Sequence, residues 1–281
     1  MSVIFVQRRT LPEAWERSVA EVWSKGIIVD TEYGERSKDA TAVIMVEEPL
    51  SEPRVHLKGV IAGKLSGLFD YVDEVLKGTS DKLSEKYGYT YHGRLFEYDC
   101  NLVSMSIEER LEDYSSELDY NLKAKSMRVD QIEYVIKKLE KAPHSRRAQA
   151  ITWQPWKDIN SDHPPCLQRI WCRVIDGKLV MHVHIRSNDA FKAAFMNMFA
   201  FTELQRCIAE RLGVEMGYYL HIADSYHIYE RDWKWAEKFA EQVKNGTSKK
   251  YWMTTEKFKE LALHKHHSST RAEASSTTMV P

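Results

Sequence analysis

The sequence predicts an α+β fold, and three observations predict it. Residues 166–175, "CLQRIWCRVI", and 178–187, "KLVMHVHIRS", alternate in hydrophobicity around Asp176-Gly177, a pair that favours a two-residue hairpin turn. Residues 190–213, "AFKAAFMNMFAFTELQRCIAERLG", are apolar on nearly all sides, as a buried central helix is. Strands and helices do not alternate regularly along the chain, which disfavours a doubly wound parallel sheet. The expected architecture is a mixed β-sheet flanked by helices.

The elements follow in order. "TLPEAWERSVAEVWSKG" (10–26) reads as the first helix. Thr10 and Glu13 have capping-box spacing, Ala14, Val19, Val22 and Trp23 lie along one side, and Gly26 is the stop. "TAVIMVEE" (41–48) reads as a strand, and residues 65–76 as a helix whose packing face the pattern does not define. Residues 78–128 give no clear element and include the charged stretch "SIEERLEDYSSELD". "VDQIEYVIKKLEKAP" (129–143) is a helix with Asp130 near its start, apolar Ile132, Val135, Ile136 and Leu139, and Pro143 past its end. A strand at "AQAITW" precedes the hairpin. A strand through "YYLHIADSYHIY" (218–229) and an amphipathic helix at "DWKWAEKFAEQV" (232–243) follow the central helix. Residues 1–263 are expected to form one domain, and 264–281 a disordered tail, from its Ser- and Thr-rich composition.

Composition narrows the function classes. The 281 residues are 43% hydrophobic and 29% charged, with a net charge of −1, which argues against a broad nucleic-acid surface but not against a local arginine cluster. No stretch reaches the apolar length needed to span a bilayer, so no membrane partner is expected. The start, "MSVIFVQRRT", is charged too early for a signal peptide. Four cysteines, Cys100, Cys166, Cys172 and Cys207, share no repeated spacing, so neither a disulfide framework nor a metal site is expected. A reducing cytoplasm suits them.

Cys166 stands out because Pro164 and Pro165 fix the backbone just before it and a strand begins at it. With Asp176-Gly177 closing the turn, opposite residues sum to 353, which places Cys166 opposite Ser187 and Leu167 opposite Arg186. Opposite side chains share a face with Cβ atoms about 5 Å apart. Positive charge beside a thiol stabilises its thiolate, whereas a free cysteine with no such neighbour packs as a small hydrophobe. His182 and His184 share a strand face without an acid or thiol to complete a metal set, "HKHH" (264–267) lies in the tail, and "SRR" (145–147) follows a helix, where basic residues suit the dipole.

Taken together, the motifs resemble the thymidylate synthase family, which includes nucleotide hydroxymethylases, and are similar to its archaeal members. The matching pieces are "DQI" (130–132), "SRRAQAITW" (145–153), "PPC" (164–166), "DGKL" (176–179), "RSND" (186–189), Asn197 in "FMN" and "HIY" (227–229), in the family's order and at similar spacing. The resemblance implies a thymidylate synthase-like fold, a symmetric homodimer, a pyrimidine nucleoside monophosphate as substrate, and 5,10-methylenetetrahydrofolate or methylene-tetrahydromethanopterin as cofactor. By that likeness Cys166 is the nucleophile that adds to pyrimidine C6. Arg186 and Ser187 match phosphate ligands, Arg146 and Arg147 match the pair that reaches the phosphate from the neighbouring subunit, and Arg36 in "GERSKD" is a counterpart of a loop arginine. His227 and Tyr229 match the residues that hold the sugar hydroxyl, and Asp189 an aspartate on the pterin side. Asn197 matches the base reader: an amide can donate to O4 and accept from N3–H of uracil, whereas a carboxylate would suit cytosine.

The chain departs from the family pattern at five places. Leu167 replaces the histidine after the nucleophile, Ile185 the glutamine before the arginine, and Ser225 the aspartate two residues before the sugar-binding histidine. "RSND" replaces "RSAD". The family's "E-L-L-W-F-L-x-G" is unrecognisable around "GLFDYVDEVLKG", where Glu74 is the candidate for the catalytic glutamate. Conversion of dUMP to dTMP is the first reading. A hydroxymethylase acting on dUMP, dCMP or CMP, trapping the same intermediate with water, is the alternative, and Ser225 and "RSND" speak for it.

Overall fold

The computed structural model describes residues 2–60, 67–100 and 128–263. The charged stretch at 106–119 and the tail from 264 onward, with its expected disorder and its "HKHH", lie outside them.

The hairpin anchors the sheet. Asp176 and Gly177 both adopt positive φ, 50° and 75°, the geometry that matches a turn to the twist of its strands. They join β8 (Leu167–Ile175) to β9 (Lys178–Asp189). Around this pair a seven-stranded mixed sheet forms in the order β1-β3-β10-β9-β8-β7. Here β1 is Val3–Arg8, β3 is Arg36–Val46, β7 is Gln149–Ile151 and β10 is Glu215–Tyr229. A further strand, β2 (Ile27–Asp30), pairs with residues 36–39 of β3, beside β1. The β1–β3 and β9–β10 pairs are parallel and the others antiparallel. Two-residue strands β4 (Val55–His56) with β11 (Trp252–Met253), and β5 (Tyr98–Asp99) with β6 (Arg128–Val129), tie the periphery.

The register at the start of β8 differs from the expectation. From Arg169 onward opposite residues keep the predicted register, but Leu167 pairs with Ile185, not Arg186. Gln168 is the extra residue of a β-bulge, two residues on β8 opposing one on β9. Its carbonyl accepts from Thr152 N and its amide donates to the Pro165 carbonyl at 2.7 Å. Cys166 therefore meets Arg186, whose N–H donates to the Cys166 carbonyl at 2.8 Å, instead of Ser187.

Helices cover one face of the sheet. α1 (Leu11–Lys25) starts where Glu13 accepts the Thr10 N–H at 3.2 Å, and it buries Ala14, Trp15, Val19 and Val22. α2 (Gly67–Lys77) buries Leu68, Val72 and Val75, so its packing face is defined. Short helices α3 (Ser84–Tyr87) and α4 (Tyr91–Phe96) follow. α5 (Gln131–Lys141) buries the four apolar residues its sequence marked, and Asp130 caps it by accepting from Glu133 N at 2.8 Å. α6 (Pro155–Asp158) is one turn. The central helix α7 (Ala194–Leu212) is buried as predicted, and its C-terminal Gly213 takes the left-handed conformation (φ 64°) that spares a Cβ clash. Burying its Phe195, Phe199 and Phe201 contributes about 1.5–3 kcal/mol each. α8 (Trp233–Lys244) packs on α1.

The opposite sheet face is only partly covered. Phe5 is 63% exposed and Val3 68%, and Val43, Met45, Trp171, His182, Leu220 and Ile222 are half-buried. His182 bonds to the Tyr218 hydroxyl at 3.0 Å and His184 to Asp224 at 2.9 Å. No described helix is long and apolar enough to cross a membrane, and all four cysteines are free thiols.

Candidate active site

The segment before Cys166 is held from several sides. Arg94 and Asp158, both almost fully buried, form a two-pronged ion pair at 2.8 and 2.6 Å. Arg94 also donates to the Thr152 carbonyl, and Asp158 accepts from Gln154 N. The Thr152 hydroxyl bonds to the Leu167 carbonyl. These contacts fix α4, α6 and the start of β8 against one another, so the thiol leaves a rigid frame.

Arg186 turns its guanidinium onto the same frame. Nε donates to the Pro165 carbonyl at 3.0 Å and Nη2 to the Pro164 carbonyl at 2.7 Å. Of five guanidinium N–H groups, the other three have no partner among the described residues, so the fork can still take an anion. Burial raises the Cys166 thiol above its ordinary pKa, and the Arg186 charge opposes this.

Three tyrosines that sequence reasoning missed surround the thiol. Tyr71 on α2 donates from its hydroxyl to Asn197 Oδ1 on α7 at 2.6 Å. Tyr91 on α4 accepts the Leu167 N–H at 3.3 Å. Tyr89, whose ring lies 5.8 Å from that of Tyr91, meets the Cys166 backbone. Burial raises all three phenols, Tyr89 to about 12, and the negative charge of a Cys166 thiolate pushes each further up. At neutral pH they are hydroxyl donors, not phenolates. Their positions gave no signal in the sequence, because tyrosine is as common in cores as in sites.

The end of β10 carries the next group. His227, 5% exposed, packs edge-on to the Tyr229 ring at 4.8 Å. Burial raises Tyr229, and Cys166 contributes to the same shift. Asp189, at the end of β9, pairs in register with His227. Its Oδ1 accepts from Phe191 N and Lys192 N at 3.0 and 2.8 Å, and burial raises its pKa. Oδ2 has no hydrogen-bond partner among the described residues. Ser187, on β9, pairs in register with Ser225.

The remaining candidates lie further out. Arg146 and Arg147 are exposed on the loop between α5 and β7. Their carbonyls are anchored by Trp171 Nε1 and the Tyr134 hydroxyl, and their guanidiniums make no hydrogen bond or ion pair among the described residues. Arg36 is exposed and paired with both oxygens of Glu230, over the Trp233 ring. Glu74, half-buried on α2, is raised above the usual carboxylate range, chiefly by burial, and its charge is felt by Tyr71. Asn188 turns its side chain away to the buried His221, accepting from Nε2 at 2.9 Å.

Comparison with known proteins places this arrangement. The family model described as thymidylate synthase matches residues 68–270. A Methanocaldococcus jannaschii protein named "Putative thymidylate synthase" is 31% identical over 244 residues, 84% of this chain and 96% of that protein. Proteins of the same name from Methanosarcina acetivorans and Methanosarcina mazei are each 27% identical over 239 residues, covering 85% of this chain and 95% of theirs.

Proposed function

The chain belongs to the thymidylate synthase family, and from that premise we propose that it converts dUMP to dTMP through a covalent adduct on Cys166. Membership makes it a one-carbon transferase acting on a pyrimidine nucleotide. The observation that carries the finer reading is that Tyr71 links Asn197 to the surroundings of Cys166, so a nucleophile and an amide base reader share one tyrosine cluster.

The residues divide the work as follows. Cys166 Sγ adds to C6 of the base, which leaves C5 carrying the electron pair of the former double bond. Asn197 Nδ2 donates to O4, where negative charge develops during that addition, so the amide stabilises the adduct as well as reading the base. Arg186 and Ser187 bind the 5′-phosphate, with Arg36 at the rim, and His227 and Tyr229 take the sugar hydroxyl. Tyr89 and Tyr91, protonated at neutral pH, exclude bulk water from the thiol and supply donors.

A reduced pterin fits the far side of the group, because the free Oδ2 of Asp189 is an acceptor suited to pterin N–H donors. Bound there, 5,10-methylenetetrahydrofolate or methylene-tetrahydromethanopterin would supply the one-carbon unit and the hydride for a methyl product. A water-trapping nucleotide hydroxymethylase is the second reading, favoured by Ser225 in place of the usual aspartate.

The working unit is a homodimer. The partly covered sheet faces, with exposed Phe5 and Val3, pack against each other, and Arg146 and Arg147 cross to the partner's phosphate. The reducing cytoplasm suits a catalytic thiol. Mass spectrometry of products from dUMP, dCMP, UMP and CMP with methylenetetrahydrofolate tests the assignment. Methylated dUMP is expected; a hydroxymethylated nucleotide would replace this reading with the second one.

A further inference from the structure

Ser225 does not leave His227 without a carboxylate. On β3, Asp39 stands directly opposite His227 in the β3–β10 register. The Ser225 hydroxyl donates to Asp39 Oδ2, and Ser225 Oγ itself lies 3.1 Å from His227 Nδ1. The Ser225 carbonyl lies 3.4 Å from Nδ1 as well. A bulge in β10 between Ala223 and Tyr226 brings Ser225 to this position.

The direction of these bonds is decided by what each group can give. A carboxylate accepts and does not donate, so the serine proton points to Asp39. Ser225 Oγ then has only lone pairs for His227, and the Ser225 carbonyl likewise only accepts. In the neutral imidazole the proton therefore sits on Nδ1, and Nε2 carries the lone pair.

We propose that Asp39, acting through Ser225, is a positioning residue that fixes His227 as its Nδ1–H tautomer, so that Nε2 accepts a hydrogen bond from the sugar hydroxyl of the nucleotide. This rests on the nucleotide reading above. A 2′-deoxynucleoside 5′-monophosphate has one free hydroxyl, at C3′, and it must be the donor. The site then rejects a sugar without that hydroxyl, because Nε2 would be left buried and unpaired.

Asp39→Asn tests the relay with little change in shape. Its amide can donate to Ser225 Oγ, which turns the serine proton toward His227 Nδ1 and drives the ring proton to Nε2. In ¹⁵N NMR of the nucleotide-free protein in alkaline buffer, with His227→Gln to assign the signals, the wild type is expected to show a protonated Nδ1 and a bare Nε2, and Asp39→Asn a marked Nε2–H population. Binding of dUMP should exceed that of 2′,3′-dideoxyuridine 5′-monophosphate by about 100-fold in the wild type and by less than about tenfold in Asp39→Asn, with Ser225→Ala intermediate. A wild-type Nε2–H tautomer, or an Asp39→Asn protein with unchanged tautomer and discrimination, overturns the proposal. Failure of dUMP to bind a wild type that shows the Nδ1–H tautomer overturns the nucleotide reading instead, and the relay stands.

Discussion

The Tyr71 hydroxyl donates to Asn197 Oδ1 across 2.6 Å, which holds the amide one way round and turns its Nδ2 donor away from the phenol. Uracil offers an acceptor at position 4 where cytosine offers an amino group. In the base-reading role proposed for Asn197, a locked amide would select between them before any base arrives. Tyr71→Phe removes the lock, and a hydrogen bond of this kind is worth about 0.5–1.5 kcal/mol net. The dUMP-over-dCMP affinity ratio, measured by calorimetry, should fall roughly three- to tenfold. An unchanged ratio would show that the amide is oriented by something else.

The thiol responds to two opposing influences, burial upward and the Arg186 charge downward. Removing the charge in Arg186→Met leaves burial unopposed, so the pH at which iodoacetamide alkylates Cys166 half-maximally should rise. At neutral pH the alkylation rate should drop. A midpoint that moves down would mean Arg186 does not stabilise the thiolate.

Cys166→Ala should abolish turnover, by at least about 10³-fold, and leave dUMP affinity within about threefold, since the proposed phosphate, sugar and base ligands remain. Residual turnover near the wild-type rate would sink the covalent mechanism.

Arg146 and Arg147 are exposed and unpaired among the described residues, as ligands destined for a partner's site would be. Mixing Arg146→Ala chains with Cys166→Ala chains should then restore activity, because some mixed dimers carry one site with both residues intact. Verified mixed dimers with no recovery would rule out shared sites.

The Arg94–Asp158 pair is nearly inaccessible, with side chains 7% and 4% exposed. Asp158→Ala strands a buried guanidinium, which costs about 3–5 kcal/mol. Urea unfolding should show that loss, and pairing it with Arg94→Met should recover most of it. Loss of only a few tenths would mean that solvent reaches Arg94 after all.

Several of these features were legible in the sequence. Asp176-Gly177 announced the hairpin, apolar residues on every side announced α7, and the spacing of Ile132, Val135, Ile136 and Leu139 announced the face of α5. Each is a local signal with a short period. What escaped depends on contacts between distant segments. One extra residue at Gln168 shifts Cys166 from Ser187 to Arg186, and nothing in an alternating run marks a bulge. Asp39 reaches His227 only because β3 lies beside β10, across more than half the chain. β1 and β2 went unnoticed because their exposed apolar residues, Val3, Phe5, Ile27 and Ile28, blur the alternation of a half-buried strand. Tyr71 sits on a helix whose face only tertiary packing defines.

The prolines before the thiol hold the Arg186 guanidinium in place before any ligand arrives. A free arginine side chain loses about 2 kcal/mol of rotamer entropy when it is frozen. Arg186 is already tethered to the Pro164 and Pro165 carbonyls, and those residues have φ locked near about −65°. The loss of freedom is thus taken during folding, and in the phosphate-binding role proposed for Arg186 an arriving anion would not have to order the side chain. In that role neither ring would need to touch the anion for both to tighten its binding.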